Sequence, residues 1–216
     1  MDKIKEQDEQ RRAFFNHNAK DWMDRFYGDP QRMESFVPRL ERIVESLALA
    51  PDHRVLDAGC GSGVMVPWLL EHLSSQGRVV EVDYAQEMIQ ANQALHQDTR
   101  LEFICAPVDQ LKLPPASFDA VLCFACFPHF KNPGTSLAHL AQLLKPGGRL
   151  TIAHLMSSEK IADHHGKEAA VAHDCLPERE LMTAFVQAAG LRELSFTDVP
   201  DLYLLSLEKP ATGARH

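Results

Sequence analysis

The sequence predicts an α/β fold: a doubly wound, mostly parallel, seven-stranded sheet closed by an antiparallel C-terminal hairpin and preceded by helices. Three observations predict it. Short apolar runs bounded by turn residues recur from residue 54 onward, and helix-period segments lie between them. The last two runs are separated by a short turn alone. Strands joined by crossover helices pair in parallel with both sheet faces covered, whereas strands joined by a short turn pair antiparallel.

In chain order, residues 11–26 read as a helix, because Phe14, Phe15, Trp22 and Phe26 share a helix face. A second helix at 32–49 ends before Pro51. Strand 54–57 runs into AGCGSG and helix 64–73, and strand 79–83 is followed by helix 86–96. Strands 101–106 and 118–124 come next, then helix 136–144, stopped at Lys145-Pro-Gly-Gly148, and strand 149–154. Residues 158–172 have helical propensity, 177–189 form a helix closed by Gly190, and strands 192–198 and 202–208 turn at 199–201.

A chain of 216 residues suits one well-buried domain. A net charge of -8 argues against a nucleic-acid partner, which needs a clustered basic face. No run approaches the roughly 18 apolar residues of a membrane helix. The charged opening MDKIKEQDEQRR lacks the apolar core of a secretory signal, so a cytoplasmic location is expected. Five cysteines, an odd number mostly in apolar runs, fit reduced thiols. Cys123-Phe-Ala-Cys126 has no second pair for a zinc site and opens no helix as a redox motif would, so packing is expected of it.

In such sheets ligands bind beyond the carboxyl ends of the strands, where the strand order reverses. The first strand-to-helix turn, Asp57-Ala-Gly59-Cys-Gly61-Ser-Gly63, lets backbone approach a ligand closely. Its glycines are spaced G-x-G-x-G, not the G-x-G-x-x-G of a dinucleotide fingerprint. Asp57 would repel a pyrophosphate and suit a cationic amino group, which favours an amino-acid-bearing nucleoside over NAD. Asp83, ending the second strand, is placed to accept hydrogen bonds from ribose hydroxyls, or to cap the following helix.

VLDAGCGSG, VVEVDYAQEMI, LPPASFDAVLCF and LLKPGGRLTIAH, in this order, resemble the successive motifs of class I S-adenosylmethionine-dependent methyltransferases with a Rossmann-like sheet. The resemblance is greatest to the branch typified by ubiquinone and menaquinone biosynthesis enzymes, and it spans about residues 11–208. It implies an enzyme that uses S-adenosylmethionine, with residues 1–50 as a helical lid, 51–210 as the methyltransferase domain in a single folding unit, and 211–216 as a tail. It further implies that Asp57 and the backbone of Gly59, Cys60 and Gly61 hold the methionine part. Asp83 and Tyr84 would take the ribose side, Met88 and Val108 the adenine, and Phe124 the pocket wall. Pro107 stands where the family usually has an adenine-binding acid and has no amide hydrogen, so Asp109 is the expected substitute.

Methyl transfer requires alignment of the acceptor, exclusion of water and sometimes removal of a proton. His129, after the fourth strand, and His154, ending the fifth, fall at the carboxyl edge and are the candidate bases. The segment that follows brings His164, His165 and His173 together with Asp163 and Asp174. It is expected to cap the acceptor pocket and to recognise a polar or anionic small molecule. The alternative is a methyltransferase-like metal-binding or sensing protein built on this segment. A monomer or homodimer acting on a small molecule is expected.

Overall fold

The computed structural model describes residues 2–211, with side chains from residue 5 onward; the predicted tail at 211–216 lies outside the described residues except for Ala211. The helix expected at 11–26 is in two pieces, α1 (Asp2–Asn18) and α2 (Trp22–Tyr27), joined by a single 3-10 turn at Ala19–Asp21. Helix α3 (Pro30–Glu45) has a complete start signal, because Asp29 accepts hydrogen bonds from the amides of Gln31 and Arg32 and Pro30 stands in the first turn.

A seven-stranded sheet follows, in the order β3-β2-β1-β4-β5-β7-β6. Its strands are β1 (Arg54–Ala58), β2 (Arg78–Asp83), β3 (Leu101–Cys105), β4 (Phe118–Phe124), β5 (Leu144–His154), β6 (Arg192–Val199) and β7 (Leu202–Glu208). The first five pair in parallel, and β7 is antiparallel to both β5 and β6. The crossover helices are α4 (Val66–Glu71), α5 (Gln86–Leu95) and α6 (Pro133–Leu143); α7 (Ser158–His165) and α8 (Arg179–Ala188) precede the hairpin. Chain order reverses between β1 and β4, which places the ligand crevice above their carboxyl ends.

Alternation along the strands divides the core into two layers. Leu56 and Ala58 of β1 join Val80, Val82, Val121 and Cys123 on one face; Val55 joins Val79, Ala120 and Leu122 on the other. Helix α3 belongs to the second layer, since Leu40, Ile43, Val44 and Leu47 form a fully buried stripe against Val55, Met65 and Leu69. Of the expected lid, then, α3 covers the sheet. The α1–α2 arm reaches the crevice instead, packing Phe15, Ala19 and Trp22 on Tyr84, Ala85 and Met88.

Several boundaries differ from the sequence expectation, among them α3, which ends at Glu45 and not at 49, and α6, which starts at Pro133 and not at 136. Strand β5 begins at Leu144, because Leu144 pairs with Phe118 before an irregularity passes the ladder to Ala120 and Arg149; the Lys145-Pro-Gly-Gly148 stretch is inside the strand. Helix α7 stops at His165 with Gly166 as its cap, and turns replace the rest of the helix expected to 172. Helix α4 is shorter than 64–73. The α8 end matches in detail: Gly190 has φ +69°, its amide bonds the Gln187 carbonyl, and the Leu191 amide bonds Val186, a Schellman arrangement. Among the described residues, no helix is long and apolar enough to cross a membrane.

Candidate active site

The glycine turn after β1 is clamped to the sheet at one end and open in its middle. The amides of Gly59 and Cys60 both donate to the Val82 carbonyl, at 2.7 and 2.9 Å. A Cβ on Gly59, at φ +80°, would overlap the Cys126 side chain, and one on Gly63 would meet Asn92. Gly61, at φ +54°, has only the Met88 sulfur, 4.0 Å from where its Cβ would sit. The turn thus offers bare backbone to a ligand at Gly61 while its flanks pack tightly.

Three carboxyls lie beneath and beside this turn. Asp83 accepts the Gly61 amide at 3.0 Å and the Ala85 amide at 2.8 Å, so it ties the turn to the start of α5. Burial pushes its pKa up to about 6, although these amides pull the other way. Asp57 and Glu81 face one another across the β1–β2 pair. Burial raises Glu81 to about 7, against the Asn92 amide that donates to it at 2.8 Å. Burial and then the Glu81 charge raise Asp57 well above the usual carboxylate range, and neither of its buried oxygens has a hydrogen-bond partner among the described residues. A cationic amino group is what such an orphaned, desolvated carboxyl fits.

A cavity of about 220 Å³ opens over the switch point. Gly59, Cys60 and Gly61 form one wall, and Asp83, Tyr84 and Met88 the next. Val108 and Asp109, in a 3-10 turn (Val108–Gln110) that follows Pro107, form a third, and Phe124 and His129 close the β4 side. Asp57 is not on the wall but behind it. Phe15, Trp22 and Tyr27 of the N-terminal arm roof the cavity. A glycine opening, an orphaned carboxyl behind it and a second carboxyl beside it fit a nucleoside with a cationic amino-acid tail.

The two candidate histidines part company here. His129 lies on the cavity wall with Phe15 edge-on at 5.0 Å, and its Nδ1 is 2.7 Å from Asp174. Burial would raise the Asp174 pKa, but hydrogen bonds from His129 and Arg11 outweigh it and hold the carboxyl below its usual range. An ionised carboxylate only accepts, so Nδ1–H of His129 donates. In a neutral ring that donates from Nδ1, Nε2 is the acceptor nitrogen.

His154, by contrast, is buried away from the wall with Tyr203 edge-on at 6.4 Å. Burial, followed by the nearby His129 and His165, pushes its pKa down to about 3, and its buried Nε2 has no partner. It is a neutral core residue at neutral pH and does not meet the cavity, contrary to the expectation of a second base.

The histidine-rich segment contributes otherwise than as a metal site. Among the described residues, no group of three His, Cys, Asp or Glu side chains is placed to hold an ion. His165 donates from Nδ1 to the Asp174 carbonyl at 2.6 Å and tilts against His129 at 4.7 Å. The cysteines are all free: Cys60, Cys123 and Cys126 are buried, and the Cys126 thiol donates to the Ala58 carbonyl; Cys105 and Cys175 are exposed.

Sequence reasoning missed three participants. Asp174 was visible only as one acid among histidines, and Arg11 carried no signal at all. Glu81 did have one, a lone charge inside an otherwise apolar parallel strand.

The strand order and the site are those of a Rossmann-like fold with a cavity suited to a nucleoside. Comparison with known proteins narrows this. Residues 56–152 match the family described as methyltransferase domain. A ubiquinone biosynthesis O-methyltransferase of Coxiella burnetii is 27% identical over 206 residues, covering 89% of this chain and 86% of that protein. A SAM dependent methyltransferase from Aquifex aeolicus superposes with a TM-score of 0.68 at 20% identity, over 83% of this chain and 93% of the other. One from Mesorhizobium loti gives 0.65 at 18%, over 81% and 97%. Over residues 56–152 the chain matches the methyltransferase domain, and its fold as a whole is that of class I S-adenosylmethionine-dependent methyltransferases.

Proposed function

We propose that the protein methylates an oxygen of a small-molecule acceptor, with His129 as the base that removes the acceptor proton. The observation that supports this most is the commitment of His129 Nδ1 to Asp174, on a ring that lines the cavity. Bound S-adenosylmethionine supplies an electrophilic methyl group. Asp57 neutralises its amino group, the Gly61 turn and Asp83 hold the nucleoside, and the 3-10 turn at Val108 and Asp109 borders the adenine in place of the missing acid at Pro107. The α1–α2 arm serves as the lid over residues 51–210, and its aromatic roof excludes water and favours a flat, hydroxylated acceptor. The O-methyltransferase identity of the Coxiella relative supports oxygen as the nucleophile. The protein works as a monomer or homodimer in the cytoplasm.

The test is transfer of labelled methyl from S-adenosylmethionine to a panel of catechols and phenolic acids. His129→Ala should lower kcat by about 100-fold or more, the range of general base catalysis. Its affinity for S-adenosylhomocysteine should stay within about twofold, since no contact to the cofactor is lost. Transfer by His129→Ala at the wild-type rate would remove the base from the reaction.

A further inference from the structure

We infer that Asp174 is a positioning residue that holds the N-terminal arm closed and aligns His129 through one and the same carboxylate. Arg11, on α1, donates from Nε to Asp174 Oδ2 at 2.6 Å and from Nη2 to Oδ1 at 2.5 Å, a bidentate pair. Oδ2 also accepts Nδ1–H of His129 at 2.7 Å. One carboxylate, buried to about 5% exposure, therefore joins the arm to the base. It sits in the turns between α7 and α8, far in sequence from both partners, so nothing but this fold brings the three together.

Among the described residues, Asp174 is the carboxylate hydrogen-bonded to His129. Phe15 approaches the ring from α1, His165 from α7 and His154 from β5, while Asp8 of α1 lies on the same cavity wall and is paired with Arg11. His154 and His165 both have lowered pKa values and stay neutral at neutral pH. An isolated neutral imidazole favours the Nε2–H tautomer, so Asp174 is what reverses that preference and leaves Nε2 free to accept a proton. When the arm lifts, Arg11 leaves with it and a buried carboxylate loses a charge partner, which disfavours the open state. Arm closure and base alignment thus share one carboxylate. An asparagine with its oxygen at the Oδ2 position still accepts from Arg11 Nε and His129 Nδ1, but it has lost the charge and its amide head faces Arg11 Nη2, a donor against a donor.

This inference rests on the proposal that His129 is the base, and its test needs no methyl transfer. The full-length protein with S-adenosylhomocysteine is labelled with ¹⁵N-histidine, and the His129 tautomer is read from its ring nitrogen shifts at neutral pH. Amide exchange is followed over residues 5–27. Wild type should show Nδ1–H at His129. Asp174→Ala should convert His129 mainly to Nε2–H and speed exchange in α1 by at least about tenfold, as loss of a charge-assisted bond implies. Arg11→Ala should speed α1 exchange while leaving His129 as Nδ1–H, and Asp174→Glu should restore both signals in part.

Should Asp174→Ala fold poorly, Asp174→Asn is informative in its place, because it loses the charge and the Arg11 Nη2 bond and should speed α1 exchange even where His129 stays Nδ1–H. The inference is overturned if His129 keeps its tautomer and α1 its protection in an Asp174 variant, or if Arg11→Ala leaves α1 exchange unchanged. Intact transfer by His129→Ala would remove the base and leave these two readouts standing.

Discussion

Gly59 and Cys126 interlock the turns that follow β1 and β4. A Cβ on Gly59 would lie 2.5 Å from the Cys126 Cβ and 2.8 Å from its sulfur, while the Cys126 thiol donates to the Ala58 carbonyl at 2.8 Å. These are the two strands between which chain order reverses, so the floor of the crevice is fixed by one contact without room for a methyl group. The CxxC pair is consumed by this packing, as its sequence context suggested.

Gly59→Ala and Gly61→Ala should therefore fail in different ways. At Gly59 the left-handed backbone costs about 1–2 kcal/mol and the overlap a further 1–3 kcal/mol or so, since Cys126 is held from both sides. A fall in Tm of roughly 5–15 °C is expected. Gly61→Ala meets only the backbone cost, about 1–2 kcal/mol, but sets a methyl where bare backbone lines the cavity. It should melt within several degrees of wild type and bind S-adenosylhomocysteine at least about tenfold more weakly, by roughly 1.4 kcal/mol. Calorimetry and thermal melts on both variants decide the matter; equal losses of affinity and stability in the two would contradict it.

The buried carboxyls give the protein a pH dependence with a definite sign. Glu81 titrates at about 7 when folded, against an ordinary 4.5. The folded state therefore holds an extra proton between those values, and stability drawn from it is complete below about pH 4.5 and lost as pH rises through about 7. Glu81→Gln has no such slope, and it also relieves Asp57, whose pKa the Glu81 charge helps to raise. The stability of Glu81→Gln relative to wild type should grow between pH 5 and 8 by about 2–3 kcal/mol, from urea titrations at each pH. His154, whose lowered pKa makes the protein less stable as pH falls below about 6.5, is common to both proteins and cancels. Parallel pH curves for the two would refute the assignment.

The motifs, and the gathering of the residues expected on the cofactor side around one cavity, were legible in the sequence because they are local. Gly59, Gly61, Asp83 and Met88 are set by one strand end, one turn and one helix start, where spacing dictates geometry. The seven strands were legible for the same reason, through apolar period and turn residues. The Arg11–Asp174–His129 cluster was not, because it is assembled by contacts between residues distant in sequence, which meet across 163 and 45 positions. The break between α1 and α2 was hidden too. Phe14, Phe15, Trp22 and Phe26 satisfy a helical period through Ala19–Asp21, yet burial of Ala19 against Ala85 turns the arm there. His129 and His154 looked equivalent as residues after neighbouring strands. They differ because a 3-10 turn carries His129 to the wall, whereas His154 is still inside the β5 ladder, opposite Tyr203.

Asp57 makes the last prediction, and it concerns protons rather than contacts. Its two oxygens are buried without partners, and burial together with Glu81 holds its pKa well above normal. The Asp57–Glu81 pair thus retains a proton near neutrality in the free protein. A cationic amino group beside Asp57 favours the ionised form, so cofactor binding must expel protons. Titrations at pH 7 in buffers of differing ionisation enthalpy should show net proton release, and affinity should rise with pH from 6 to 7.5. Asp57→Asn should abolish most of that release and weaken binding by about tenfold or more. The same change removes an unpaired buried acid, so the free protein should be stabilised by about 1–3 kcal/mol. Weaker cofactor binding in a more stable protein is the pattern of a group kept for its ligand rather than for the fold. An Asp57→Asn protein that releases as many protons as wild type would place the linkage on Asp83 instead, whose carboxyl is also raised but already held by two amides.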